Sequence, residues 1–160
     1  HHSPIHLNNN SRQEDKMMKL ALAADHGGFE LKEHIKAHLA GREDLEIQDL
    51  GTHSSDSVDY PQFGKACAEL VAAGEVDRGI VFCGTGIGIS IAANRLKGIR
   101  CALATNIFMA EMSRKHNNAN MLALGGRVLS KEEATAIVDV WLSTEFEGGR
   151  HQRRIDQLDC

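Results

Sequence analysis

Gly79-Ile80-Val81-Phe82-Cys83-Gly84-Thr85-Gly86-Ile87-Gly88-Ile89-Ser90-Ile91-Ala92-Ala93-Asn94 decides how the chain is read. An apolar, β-rich run ends on a cysteine, passes through glycines 84, 86 and 88, and becomes small-residue helical from Ser90 to Arg95. The pattern predicts strand, tight turn and helix. In a parallel sheet it sets Cys83 at the carboxyl end of a strand, the edge where open α/β folds hold ligands. The glycines let an anion approach backbone N–H groups, and the following helix turns its positive end to the same point.

Two phosphate fingerprints do not fit this loop. A dinucleotide site needs G-x-G-x-x-G with an acid about 20 residues on; here the third glycine comes one residue early, and Ala102 to Phe108 holds no acid. A nucleotide P-loop needs Gly-Lys-Ser/Thr, and this loop has no lysine. A third reading is an oxyanion hole whose amides face developing negative charge, with Cys83 as base or nucleophile. The plain alternative is an inert cysteine packed beneath a glycine turn.

Working outward, similar units recur. Lys19 to Ala24 is a short apolar run ending at Asp25-His26-Gly27-Gly28, followed by a segment with Leu31, Ile35 and Leu39 at helical spacing. Asp25 and His26 therefore share the level of Cys83, although helix capping and a solvated loop are their ordinary readings. Leu45 to Leu50 alternates like a strand, and a helix follows Asp59-Tyr60-Pro61 from about Gln62 to Ala73. Arg100 to Ala104 reads as a strand, and Ile107 to Lys115 as a helix closed by His116-Asn117-Asn118, with asparagine as the left-handed cap. His116 suits a cation at a helix C-terminus as well as a catalytic role. Met121 to Gly126 is a fifth strand, followed at once by Arg127, and Lys131 to Ser143 is a helix. After Gly148 and Gly149 a short helix restarts, projecting Arg150 and Arg154 from one face, either as a phosphate clamp or as a solvated basic face. The fold expected is α/β, a three-layer Rossmann-like arrangement with a five-stranded parallel sheet.

The chain has 160 residues and a net charge of −4, which suits one domain and offers no basic patch for nucleic acid. No stretch of ~18 apolar residues is present to span a membrane. Its four cysteines form no C-x-x-C pair and read as reduced thiols of a cytoplasmic protein rather than disulfides or a zinc site. Residues 1–17 read as a tag-like leader carrying His1, His2 and His6, and residues 18–160 as a single domain.

Ala24-Asp25-His26-Gly27-Gly28, Asp59-Tyr60-Pro61, the Cys83 to Asn94 run, Ser113-Arg114-Lys115-His116-Asn117 and Glu147-Gly148-Gly149-Arg150-His151 together resemble the B-type ribose-5-phosphate isomerases. That family also holds allose-6-phosphate and galactose-6-phosphate isomerases, and the likeness runs from about Lys19 to Ile155. It implies cofactor-free and metal-free aldose–ketose isomerisation through a cis-enediolate, in the pentose phosphate pathway. By that likeness Cys83 moves the proton between C2 and C1, with Thr85 beside it. The Gly84, Gly86, Ile87 and Gly88 amides hold the enediolate oxygen, and Ser90 and Tyr60 line the pocket. His116 opens the sugar ring with Asp25 near it, and Asn117 places sugar oxygens. His26, Arg127, Arg150 and Arg154 hold the phosphate. One branch of the family has a glutamate at the position of Ile89 instead of the cysteine; this chain resembles the cysteine branch. The likeness also implies homodimers with shared sites, sometimes paired into dimers of dimers, acting on a small sugar phosphate without nucleic acid or membrane. The alternatives are a hexose-6-phosphate isomerase and a non-catalytic sugar-phosphate-binding module.

Overall fold

The computed structural model describes residues 17–159. The leader through Lys16, with its histidines, and Cys160 lie outside the described residues. The elements run β1 (Met18–Ala24), α1 (Phe29–Leu39), β2 (Leu45–Asp49), α2 (Tyr60–Ala72), β3 (Arg78–Cys83), α3 (Ile87–Asn94), β4 (Cys101–Leu103), α4 (Ile107–Lys115), β5 (Met121–Gly125), α5 (Lys131–Ser143) and α6 (Arg150–Asp156). All four strand pairings are parallel, in the order β2-β1-β3-β5-β4. The chain leaves β1 toward one edge and returns to build the other half from β3. A topological switch point therefore falls between the carboxyl ends of β1 and β3.

Strand composition sets the two faces. Because side chains alternate along a strand, Leu20, Leu22, Ile80, Phe82, Leu122 and Leu124 pack with α1, α4 and α5, around the fully buried Trp141. Ala21, Ala23, Val81, Cys83, Met121 and Ala123 face α2 and α3, meeting Ala68, Val71, Ile89 and Ala93. One face is built from large aliphatics and the other mainly from small residues. Burying each large aliphatic contributes roughly 1.5–3 kcal/mol, so most of the apolar stabilisation lies on the first face. This is the three-layer sheet expected from the sequence.

Several boundaries move. α2 begins at Tyr60 rather than near Gln62, because Pro61 in its first turn is preorganised for a helix and needs no N–H partner there. α3 begins at Ile87 rather than Ser90, since Gly86 at φ 83° closes the turn earlier than the glycine spacing suggests. β4 is only three residues long. Its first amide is taken by a side chain, Cys101 N–H donating to Asn94 Oδ1 at 2.7 Å.

One polar group is buried deeply. Lys32 in α1 is 0 % exposed and donates from Nζ to both carboxylate oxygens of Asp49, at 2.7 and 2.8 Å. Lys36 donates to Asp49 at 2.8 Å. Burial pushes the Asp49 carboxyl up, but hydrogen bonds from Lys32, Lys36 and the Gly51 N–H outweigh it and hold the pKa at about 2. The network ties α1 to the edge strand β2.

Candidate active site

Three glycine turns meet at the carboxyl edge, and their closeness defines the site. A Cβ placed on Gly27, after β1, would lie 2.9 Å from the Gly84 nitrogen. One on Gly126, after β5, would lie 2.5 Å from the Gly27 carbonyl oxygen. Backbone hydrogen bonds lock the last two turns together, with Gly126 N–H donating to Cys83 O at 2.8 Å and Arg127 N–H to Gly84 O at 2.9 Å. No side chain fits between these backbones, which is why the turns are glycine.

Each functional side chain follows from its turn. Asp25 is 7 % exposed, and its Oδ1 accepts the Gly27 and Gly28 N–H groups at 2.9 and 3.1 Å, so it braces the β1 turn. His26 Nδ1 lies 3.1 Å from the Val58 nitrogen and 3.2 Å from its carbonyl oxygen, so the ring is tied to the loop before α2. Cys83 is buried, and its Sγ accepts the Gly86 N–H at 3.2 Å. Thr85 Oγ1 accepts the Ile87 N–H at 3.2 Å. The first-turn amides of α3 have no intrahelical acceptor and point toward this edge. Ser90 is turned inward and donates to Ile87 O at 2.7 Å. The Tyr60 ring lies against Gly88, where a Cβ would come within 2.7 Å of it. Arg127 lies over Gly84, its guanidinium 3.0 Å from where a Cβ would sit. Ile89 is fully buried against Gly64.

The other predicted residues gather elsewhere. α4 runs antiparallel to the strands, so its end at Lys115 delivers His116 and Asn117 to the amino edge of the sheet. Asn117 O accepts there from Arg100 Nε at 2.8 Å, just before β4. The buried Arg114 fixes this turn, donating to Asn118 Oδ1 at 2.9 Å and Ala119 O at 2.8 Å, and Asn118 takes the left-handed φ of 45°. Burial lowers the Arg114 pKa to about 10. Arg150 and Arg154 share with His116 and Asn117 a cavity of about 330 Å³. β5 alone is five residues long, about 17 Å at strand rise. One chain therefore sets Asp25, His26, Tyr60, Cys83, Thr85 and Arg127 at one sheet edge and His116, Asn117, Arg150 and Arg154 at the other.

Two residues at the second edge drew no role from the sequence. The His151 ring stacks on His116 with centroids 4.2 Å apart and planes 14° from parallel. Glu147 Oε1 lies 3.5 Å from His151 Nε2 and 3.8 Å from His116 Nε2. Burial first, then the neighbouring His116 and Arg150, push the His151 pKa down. The i, i+4 spacing of Glu147 and His151 across the glycine pair was the signal available.

A parallel sheet whose switch point carries a thiol under converging backbone amides is the architecture of an α/β enzyme that handles an anionic oxygen. A family model described as Ribose/Galactose Isomerase matches residues 20–158. The chain belongs to that family, and it is an isomerase. It is 50 % identical over 142 residues to ribose-5-phosphate isomerase B of Escherichia coli, covering 89 % of this chain and 95 % of that protein. The structure of Clostridium thermocellum ribose-5-phosphate isomerase B superposes with a TM-score of 0.87 at 55 % identity, covering 89 % of this chain and 95 % of the other. The Mycoplasma genitalium enzyme, solved with bound ribulose-5-phosphate, gives 0.83 at 41 % identity over 88 % and 93 %. Among the described residues no helix is long and apolar enough to cross a membrane.

Proposed function

We propose that the protein interconverts ribose 5-phosphate and ribulose 5-phosphate through a cis-enediolate, serving the pentose phosphate pathway in the cytoplasm. The observation that carries this reading is the convergence of Cys83 with the amides of the β3 turn at the switch point, in a chain half identical to a named ribose-5-phosphate isomerase B. Cys83 takes the proton from C2 of the open-chain aldose. The electron pair forms the C1–C2 double bond, and charge collects on the O1 oxygen facing the amides of Gly84 to Gly88. Return of the proton to C1, with the O2 proton passing to O1, gives the ketose with no net gain or loss of protons. Thr85 lies beside the moving proton, and Asp25 steadies the turn that borders it. Arg127 supplies a cation on the same edge, and His26 a ring nitrogen.

Ring opening needs a proton moved between O1 and the ring oxygen, the task of His116, with Asn117 holding sugar hydroxyls. Arg150 and Arg154 take the phosphate as a charge-assisted clamp. Because these residues lie at the opposite sheet edge from Cys83, two copies of the chain complete each site, each lending one edge to the other in a homodimer. The deciding experiment compares turnover of ribose 5-phosphate, allose 6-phosphate and galactose 6-phosphate. A kcat/KM highest for ribose 5-phosphate supports the reading, and preference for either hexose phosphate replaces it.

A further inference from the structure

We infer that His116, Glu147 and His151 form a binding site for a first-row transition-metal ion of the zinc class, and that filling it switches His116 off. One ring nitrogen of each histidine and a carboxylate oxygen of Glu147 all lie within 4.8 Å of one another. Zinc holds such donors at about 2.0–2.2 Å, which sets them ~3.3 Å apart in a tetrahedron. The cluster is thus already near the span a metal needs and must close by up to about 1.5 Å at its widest.

In the single chain the parts that must move are the exposed ones. The side chains of His116 and Glu147 are 42 % and 51 % exposed, whereas that of His151 is 10 % exposed and acts as the fixed post. Glu147 is held at the backbone, its N–H donating to Lys115 O at 3.1 Å, next to His116. Tilting the exposed His116 ring out of its stack turns its nitrogen toward the space beside Glu147. Two imidazoles and one carboxylate are a catalytic-type zinc set that leaves a fourth position for water or an anion. Magnesium and calcium prefer all-oxygen shells and are disfavoured. Arg150 and Arg154 border the same cavity and oppose a dication, so binding is reversible rather than structural. A metal on the His116 nitrogen occupies the lone pair that would move the ring-opening proton. That second half rests on the proposed role of His116; the metal site itself does not.

The test uses the full chain with His1, His2 and His6 replaced by glutamine, so that the leader does not compete. Zinc chloride is titrated by calorimetry, and cobalt(II) binding is followed by its tetrahedral absorption band. The expected result is one ion per chain. Binding should weaken about 10-fold or more in His151→Gln and in Glu147→Gln, since even outer-shell changes cost metal sites that much. Glu147 is exposed, so its variant keeps the fold. Unchanged affinity in both variants, or no ion bound by the parent, overturns the site. Zinc should also slow ribose 5-phosphate turnover, reversibly with a chelator, at about 10-fold higher concentration in Glu147→Gln than in the parent. Zinc bound without slowing removes the switch and keeps the site. Zinc bound by a protein inactive on ribose 5-phosphate removes the functional reading instead.

Discussion

The Gly86 N–H donates to Cys83 Sγ at 3.2 Å, so the residue that ends β3 and the residue that caps α3 form one unit. The sulfur is placed by the same turn that presents the amides. Replacing Cys83 by alanine keeps the turn's residues and removes the sulfur, the proposed base, together with the acceptor of the Gly86 N–H. Turnover should fall at least ~10²-fold, the scale of general-base catalysis, while KM stays within a few-fold. Steady-state kinetics checks this, and turnover near the parent's would leave Cys83 as packing alone.

Arg150→Ala and Arg154→Ala should each weaken use of the phosphorylated substrate. Charge-assisted hydrogen bonds contribute roughly 1.5–3 kcal/mol, or about 10- to 150-fold in kcat/KM. Inorganic phosphate should inhibit the parent competitively and the double variant poorly. Parent-like kcat/KM in both single variants would make the pair a solvated face.

The division of the proposed site between the two sheet edges predicts complementation. Cys83→Ala and His116→Ala chains, unfolded together and refolded at equal concentration, should give about half mixed dimers, each with one intact site. About a quarter of the sites then regain parent activity on ribose 5-phosphate. If mixed dimers form and activity stays at the average of the two mutants, each site lies within one chain.

Gly126→Ala forces a Cβ to 2.5 Å from the Gly27 carbonyl, a backbone atom that cannot rotate away. Overpacking of this kind costs about 1–3 kcal/mol, and the three turns must separate to accept it. Urea unfolding should show the loss of stability, and turnover should drop with it. Parent values in both measurements would mean that the turns have slack.

Acid should release the α1–β2 tie. The Asp49 carboxyl moves from an ordinary 3.8 to about 2 on folding. A depressed folded pKa gives stability that is complete above about 3.8 and is lost as pH falls toward 2. Urea midpoints measured across that window should fall more steeply for the parent than for Asp49→Asn, which lacks the titrating group. Parallel slopes would show that the carboxylate is not pinned.

The strand–turn–helix periodicity was strong enough to read the layers directly, because β1, β2, β3 and β5 each run into glycine and the amphipathic helices have an apolar stripe. Helices Ile107–Lys115 and Lys131–Ser143 fall where the pattern sets them, the latter sealed by the reciprocal cap of Ser130 and Glu133. The starts of α2 and α3 were less legible, since proline and glycine mark both the end of a loop and the first turn of a helix. The placement of Cys83, Asp25 and His26 on one edge was readable from position, because strand ends define an edge, whereas the choice among their roles came only from the family resemblance. The partnership of His116 with His151 was not readable. It joins the end of α4 to a helix more than thirty residues further on, and no local pattern reports a contact across that separation.

The alanine-lined face of the sheet behaves as a spacer. With Ala21, Ala23 and Ala123 beneath them, α2 and α3 settle close to the strands, and α3 carries the amides that meet the sulfur of Cys83. The height of that helix above the sheet is therefore set by methyl groups well below the reacting atoms. Two added carbons in this layer, as in Ala123→Val, would lift the helix and withdraw its amides together, so that the reach of the donors toward a substrate oxygen is a dimension of the core.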